Sequence, residues 1–315
     1  MIRYLLRRLV FATALVFTVS SASLLLTRLA PGDFAAGALG IGAGRERLAE
    51  MRARYGLDRP VLVQYRDWLA GALRFDFGRS LAYDRPVSDL IPERAANTAM
   101  LAVTALAAAT LIGLPLGIVS GSRPHGAVSG LIRSGSLVLL SMPPLLTSLL
   151  LVFIAARTGW FPIGGMSSGS SGSVAVLDLL HHLVVPAAAL ALPLAAMFER
   201  LQSQVMHEVV GQPYVLAALA RGVPRSRVVW RDALKAALGP VASVYGLVVG
   251  TLLSGSFAVE VITTWPGLGR LMLDALRARD VYLVAGCAAT GSLFLAGATL
   301  LSDAALALVD PRARE

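Results

Sequence analysis

Residues 214–240 read YVLAALARGVPRSRVVWRDALKAALGP. The stretch is rich in alanine and breaks at Gly222 and Pro224. It turns basic with Arg221, Arg225, Arg227 and Arg231, then returns to alanine around the chain's single lysine, Lys235. Apolar segments long enough to cross a bilayer lie on either side of it. The side of the membrane on which it sits orients every other segment, and with them the fold.

The chain has 315 residues, of which 56% are hydrophobic and only 15% charged, and its mean hydropathy is +0.69. A soluble domain of that length needs more polar surface, so composition places the chain in a membrane. A net charge of +9 is compatible with a nucleic-acid binder. In so apolar a chain it is better explained by arginines that hold loops on the cytoplasmic side, and no nucleic-acid partner is expected. The single cysteine, Cys287, excludes a disulfide framework or a cysteine-based metal cage.

A spanning helix needs about 20 mostly apolar residues. Six stretches are read as spans: 9–29, 99–119, 137–156, 183–198, 238–259 and 281–301. The expected fold class is therefore all-α integral membrane, with six transmembrane helices and none of them carrying lysine or arginine at its centre. Pro115, Pro143, Pro144 and Pro193 fall inside these spans, which suits helices packed on one another. Arg3, Arg7 and Arg8 before the first apolar run also resemble the start of a signal peptide. The run continues through Leu24–Leu26, longer than an h-region of about 7–15 residues, so a retained helix is expected.

Arginine in the short loops sets the orientation. Arg3, Arg7 and Arg8, then Arg123 and Arg133, then the six basic residues from Arg200 to Lys235, then Arg312 and Arg314 fall on one side of a six-span chain. The opposite side has Arg157, Arg270, Arg277 and Arg279 in its loops. Both termini and the opening stretch are expected to be cytoplasmic. Residues 1–29 then form a tail and the first span, and 30–98 an external segment. Residues 99–309 form the helical core with a cytoplasmic loop at 200–237, and 310–315 a cytoplasmic tail. The external segment is itself helical, because Leu48, Met51 and Tyr55, and then Val61, Tyr65, Trp68, Leu69 and Leu73, recur at helical spacing. Gly56 and Pro60 separate the two runs.

Much familiar chemistry is missing. A Walker A loop needs lysine followed by serine or threonine, and Lys235 is followed by Ala236, so no nucleotide or other cofactor is expected on this chain. His207-Glu208 lacks the second histidine of a zinc-protease helix, and His181-His182 point about 100° apart on a helix. No metal site and no catalytic residue are expected. The opening stretch instead reads as two helices joined at a sharp turn. A first half at 205–221 is closed by Gly222, suited to a left-handed helix end, and a second begins at Pro224. Ala217, Ala218 and Ala220 would let another surface approach closely. The residues alone leave a docking site and a helical hairpin lying on the membrane both open.

The spacing from Tyr214 through Ala218 and Ala220 to Gly222, with Pro240 eighteen residues on, resembles the coupling loop of ABC-importer permeases. The likeness is to the dipeptide/oligopeptide/nickel family, and within it to the B-type permease. RLAPGD (28–33), YGLDRPVLVQYRDWL (55–69), RFDFGRSL (74–81), PVSDLIPERAANTAML (86–101), VVPAAALALPLAA (184–196), VEVITTWPGLGRLMLDAL (259–276) and DPRAR (310–314) are similar to that family in the same order.

The resemblance implies a type I importer permease in the inner membrane of a prokaryote. Its implied partners are a second homologous permease, two ATPase subunits that hold the ATP and magnesium, an external substrate-binding protein, and membrane lipid. It implies that Glu208, Tyr214, Leu216, Ala217, Ala218, Leu219, Ala220, Arg221 and Gly222 form the ATPase-coupling surface. Leu216 and Leu219 depart from the family, which usually has basic residues there, so a more apolar groove on the ATPase is implied.

The external loop after the fifth span is the second candidate. Glu260 stands at the end of an apolar helix, where an ionisable group is costly. Trp265, Pro266, Gly267, Gly269 and Arg270 resemble the family's segment that reaches toward the delivery protein. An exposed Trp265 on a turn made by Gly267 and Gly269 is expected as the anchor of that contact, or else as a membrane-interface residue.

The function expected is import of di- or oligopeptides by alternating access. Nickel import is the alternative within the family, and the absence of a histidine at any span centre favours peptides. A secondary transporter is the rival outside it, disfavoured by the lack of a proton relay at mid-membrane.

Overall fold

The computed structural model describes residues 2–30, 32–39, 44–74, 76–167 and 173–309. The tail at 310–315 and part of the loop at 164–173 lie outside them. The described residues form helices in the order α1 (Ile2–Leu29), α2 (Phe34–Leu39), α3 (Arg45–Arg54), α4 (Val61–Ala72), α5 (Val87–Ser122), α6 (Ala127–Leu140), α7 (Pro144–Thr158), α8 (Ser173–Val210) and α9 (Pro213–Ala220). Then come α10 (Arg225–Arg227), a π-helical turn (Val228–Ala233), α11 (Leu234–Ala242), α12 (Tyr245–Ile262), α13 (Leu268–Ala278) and α14 (Val281–Val309). Pairing of extended chain among the described residues is limited to one bridge, between Arg79 and Pro86.

Five helices are long and apolar enough to cross a membrane, and α6 with α7 supplies a sixth if that bent pair is one span. The expected boundaries move in every case. The second span begins at Val87 rather than 99: VSDLIPER continues the helix outward, starting directly after Pro86. The fourth, expected at 183–198, runs from Ser173 to Val210 with Pro186 and Pro193 inside it. The fifth is interrupted: α11 ends at Ala242 and α12 starts at Tyr245. The third is broken outright, α6 and α7 meeting at 103°. Pro143 and Pro144 cause the break: Pro144 has no N–H to donate, and its ring keeps Pro143 extended at ψ 151°.

The chain divides into two compact units. The first contains residues 1–99 and 266–296. In it, α4 lies along α1, with Trp68 and Leu24 buried together with Ala285 and the Tyr65 hydroxyl 3.0 Å from Ser21 Oγ. Its larger core joins Val87 and Ile91 of α5 to Leu268, Leu271 and Ala275 of α13 and to Leu283, Val284 and Cys287 of α14. Asp280 knits the unit: its carboxylate accepts from Ser80 Oγ at 2.5 Å and from the Ala82 amide at 3.0 Å. It also caps α14 through the Leu283 amide at 3.1 Å.

The second unit holds the described residues of 100–265 and 297–309. Its core gathers Leu101, Ala105 and Ala109 of α5, Leu183 to Phe198 of α8, and Val248, Leu252 and Val259 of α12. Helices α5 and α8 approach closely along a stripe of glycines four apart. A Cβ on Gly113, Gly117 or Gly121 would stand 2.4, 2.6 and 2.4 Å from the carbonyl oxygens of Ala195, Glu199 and Ser203. Absence of a side chain at those three positions is what allows the contact, as in membrane helix pairs generally. The last carbonyls of α5 are satisfied by arginines from elsewhere in the unit. Arg133 donates to Ser120 O at 3.2 Å and Arg225 to Ser122 O at 2.9 Å.

Candidate functional site

The coupling segment is built from the end of α8 outward. The helix stops at Val210, and Gly211 and Gln212 turn the chain. Pro213 then opens α9 at a position where its missing N–H costs nothing. A continuous helix over 205–221 was expected. Gly211 followed by Pro213 divides it, so Glu208 lies on α8, exposed, while Tyr214 to Ala220 lie on α9.

The far end of α9 is closed as Gly222 suggested. Gly222 has φ +82°. Its amide donates to Leu219 O at 3.0 Å and the Val223 amide to Ala218 O at 3.2 Å, the two-bond left-handed closure that satisfies orphan carbonyls. Val223 folds back on the apolar cluster of Val215, Ala218 and Val228. That cluster is what holds α9 against the π-helical turn. A π turn opens one extra residue per loop and recurs at functional positions in helices.

The helix therefore has two faces. Val215 and Ala218 are buried and Leu219 half-buried, whereas Tyr214, Leu216, Ala217, Ala220, Arg221 and Gly222 are exposed. Ala218, expected among the docking alanines, is a foundation residue instead: at helical spacing it falls on the same side as Val215, three residues earlier. The exposed face is apolar at its centre, with Tyr214 and Leu216 half uncovered at 50% and 54%. Exposed Arg221 ends the helix, and exposed Arg225 and Arg227 follow just beyond the turn.

The external loop is arranged differently from the expectation. Trp265 is fully buried in the core of the second unit, and Glu260 is fully buried on α12. An indole that size gains most by leaving water altogether, so it packs inward with Val259 and Leu252 rather than standing on the surface. The turn is not made by the glycines either. Gly267 is extended at φ −98° and caps α13, Gly269 lies inside α13, and the left-handed residue is Thr264 at φ +50°. A β-branched residue in that region is an outlier. Around it, the Thr263 carbonyl accepts the Gly165 amide at 2.9 Å. On the other side of the tryptophan, Asn97 donates to Pro266 O at 2.9 Å and the Leu268 amide donates to Thr98 Oγ1 at 2.8 Å. Exposed side chains of the loop are Thr264, Leu276 and Arg277, with Pro266, Gly269 and Arg270 half-buried.

Sequence reading passed over Glu199, Gln202 and the glycine stripe. Glu199 is buried and its Oε1 accepts the Ser120 hydroxyl at 2.5 Å. The spacing of Gly113, Gly117 and Gly121 was the signal that could have located this crossing. His181 and His182, expected to point apart, do so: His181 is exposed with Nε2 2.8 Å from Trp160 O, and His182 is buried with Nδ1 2.8 Å from Asp178 O.

Residues 1–102 match the family described as the N-terminal part of the binding-protein-dependent transport system membrane component. Residues 113–315 match the family described as binding-protein-dependent transport system inner membrane component. The chain is 31% identical over 314 residues to the oligopeptide transport system permease protein AppB of Bacillus subtilis, covering 99% of both chains. A provisionally named peptide permease protein of Brucella suis is 32% identical, again over 99% of each chain. Another, of Brucella abortus, is 34% identical over 98% of each.

Proposed function

The chain belongs to the family of binding-protein-dependent transport system inner-membrane components, and from that premise we propose that it imports di- or oligopeptides. It is a multi-pass permease of the inner membrane, serving a transport system that also has a binding protein and ATPase subunits. The observation that carries the peptide reading is similarity along the whole chain to permeases named for peptides, with no large insertion or missing segment. The subunit passes substrate by alternating access, together with a second homologous permease. Both termini are cytoplasmic in this reading, which follows from the arginines of the short loops.

Two surfaces carry the coupling. The exposed face of α9, with Tyr214, Leu216, Ala217, Ala220 and Arg221, seats in a groove of one of two ATPase subunits, and Glu208 flanks it. Its apolar centre and the arginines at and just beyond its end fit a groove that is greasy inside and acidic at its edge. On the external side, the loop at 263–280 meets the delivery protein. With Trp265 and Glu260 buried, that contact falls to Arg270, Arg277, Leu276 and the neighbouring backbone at Pro266 and Gly269, while Trp265 and Gly267 hold the loop's shape.

The test is uptake in cells that lack their own peptide importers and express this chain with its partners. Radiolabelled di- to pentapeptides should accumulate only when the chain is present. Loss of peptide uptake with retained nickel accumulation would overturn the substrate assignment. Crosslinking from position 216 to an ATPase subunit, and from 270 to the binding protein, checks the two surfaces separately.

A further inference from the structure

A cavity of about 550 Å³ opens between α6, α8 and the loop after α5, within the second unit. Part of its lining is polar and basic: Arg133, Arg200 and His207, with Ser136 and Ser203. Leu137 and Leu140 of α6, 53% and 38% exposed, supply an apolar part. Neither arginine has a carboxylate within ion-pair distance among the described residues. Arg133 is half-buried and uses one nitrogen on the Ser120 carbonyl, leaving the rest of its guanidinium toward the cavity. Glu199, which also lines the cavity, already accepts the Ser120 hydroxyl.

A half-buried guanidinium with no ion pair and donors to spare calls for a further acceptor, and a planar fork of N–H donors matches a phosphate best. The two leucines then say what kind of phosphate. A free phosphate or a nucleotide has no use for exposed leucine one to two helical turns along α6 from Arg133. A glycerophospholipid presents both parts at once, its phosphate at the basic part and the start of its acyl chains along Leu137 and Leu140. Basic pockets between helices at a membrane boundary bind lipid headgroups in this manner.

We propose that this cavity is a phospholipid site, with Arg133 and Arg200 holding the headgroup phosphate and Leu137 and Leu140 flanking the chains. The lipid fills the wedge between α6 and α8 and ties the break at Pro143 to the helix that leads into α9. Glu199, lining the same cavity without pairing either arginine, selects against headgroups with extra negative charge and favours one that carries an amine as well as the phosphate.

The experiment uses the assembled transporter in nanodiscs made from equal parts phosphatidylethanolamine and phosphatidylglycerol, released into native mass spectrometry. Wild type should retain phospholipid, predominantly the ethanolamine form. Arg200→Gln, exposed and remote from any helix cap, should lower the retained fraction at least about threefold, and Arg133→Gln further. Arg123→Gln, a nearby arginine that does not line the cavity, should retain as wild type does. Inorganic phosphate at millimolar concentration should leave retention unchanged. Equal retention in Arg200→Gln and wild type would overturn the proposal. So would displacement of the lipid by inorganic phosphate, or a cavity filled by the second permease with no lipid retained.

Discussion

A Cβ placed on Gly117 would stand 2.6 Å from Cβ of Gln202, closer than two carbon atoms can approach. Gln202 is fully buried there. Gly117→Leu must therefore push α5 away from α8, and overpacking of this kind costs about 1–3 kcal/mol, occasionally more. Gly130 of α6 offers the control, because a Cβ there meets nothing within 4 Å. Thermal unfolding of the transporter in detergent should show Gly117→Leu markedly destabilised and Gly130→Ala no worse than wild type. Equal behaviour of the two would mean that the glycine stripe is not a tight contact.

The two alanines of α9 should separate under the same substitution. Ala217→Arg puts a charge on an exposed position, so the subunit should insert and fold while co-purification of the ATPase subunits and transport both fall. Ala218→Arg puts it beneath the helix beside Val215 and Val228, where an unpaired buried charge costs several kcal/mol. That variant should lose α9 itself, seen as protease sensitivity between Gly211 and Pro224. Gly222→Val, at φ +82°, should cost about 1–2 kcal/mol at the helix end and lower coupling without preventing insertion. Full transport by Ala217→Arg would remove α9 from the dock.

Asp280 should be the most sensitive carboxylate of the first unit. It is fully buried and satisfies Ser80, Ala82 and the Leu283 amide together. Asp280→Ala strands those donors, at about 1–3 kcal/mol for each one left unpaired and buried. Limited proteolysis should then cut between Gly78 and Pro86 faster than in wild type. Asp84→Ala, whose carboxylate is 62% exposed against Arg79, should leave that stretch as resistant as before.

Acid should loosen the start of the external segment. Burial raises the Asp33 carboxyl, but the Ala36 amide and the Arg52 guanidinium outweigh it and hold the group below its ordinary value. A carboxyl lowered in the folded chain adds stability that is complete above its unfolded pKa and disappears as pH falls through the folded one. Hydrogen exchange at Ala36 should therefore accelerate in acid beyond the intrinsic pH effect. Asp33→Asn should abolish that excess, and an excess surviving in the variant would assign it elsewhere.

Some of this was legible in the sequence and some was not. Span number, helical class and the left-handed end at Gly222 follow from local rules: hydrophobic length, arginine placement, and a glycine before proline. The division of the coupling helix was signalled by Gly211 and Pro213 but hidden by the alanine pattern on either side, which reads as one continuous helix. Burial of Trp265 could not be read at all. A tryptophan between Thr264 and Pro266 has the same local sequence whether it faces water or a core. The core it joins includes Leu101 and Ala105 of α5, far off in the chain. Glu199 was passed over for a similar reason: FERLQS reads as a helix leaving the membrane, and only the approach of α5 places Ser120 beside its carboxyl.

The junction of α6 and α7 carries a consequence for what surrounds the subunit. Where the two helices part at 103°, the first amides of α7, at Leu145 and Leu146, have no preceding turn to donate to, and both residues are exposed in the single chain. Hydrocarbon offers such groups no acceptor, and each one left unmet there costs several kcal/mol. The backbone at Leu145 and Leu146 must therefore look onto water or onto another polypeptide rather than onto acyl chains.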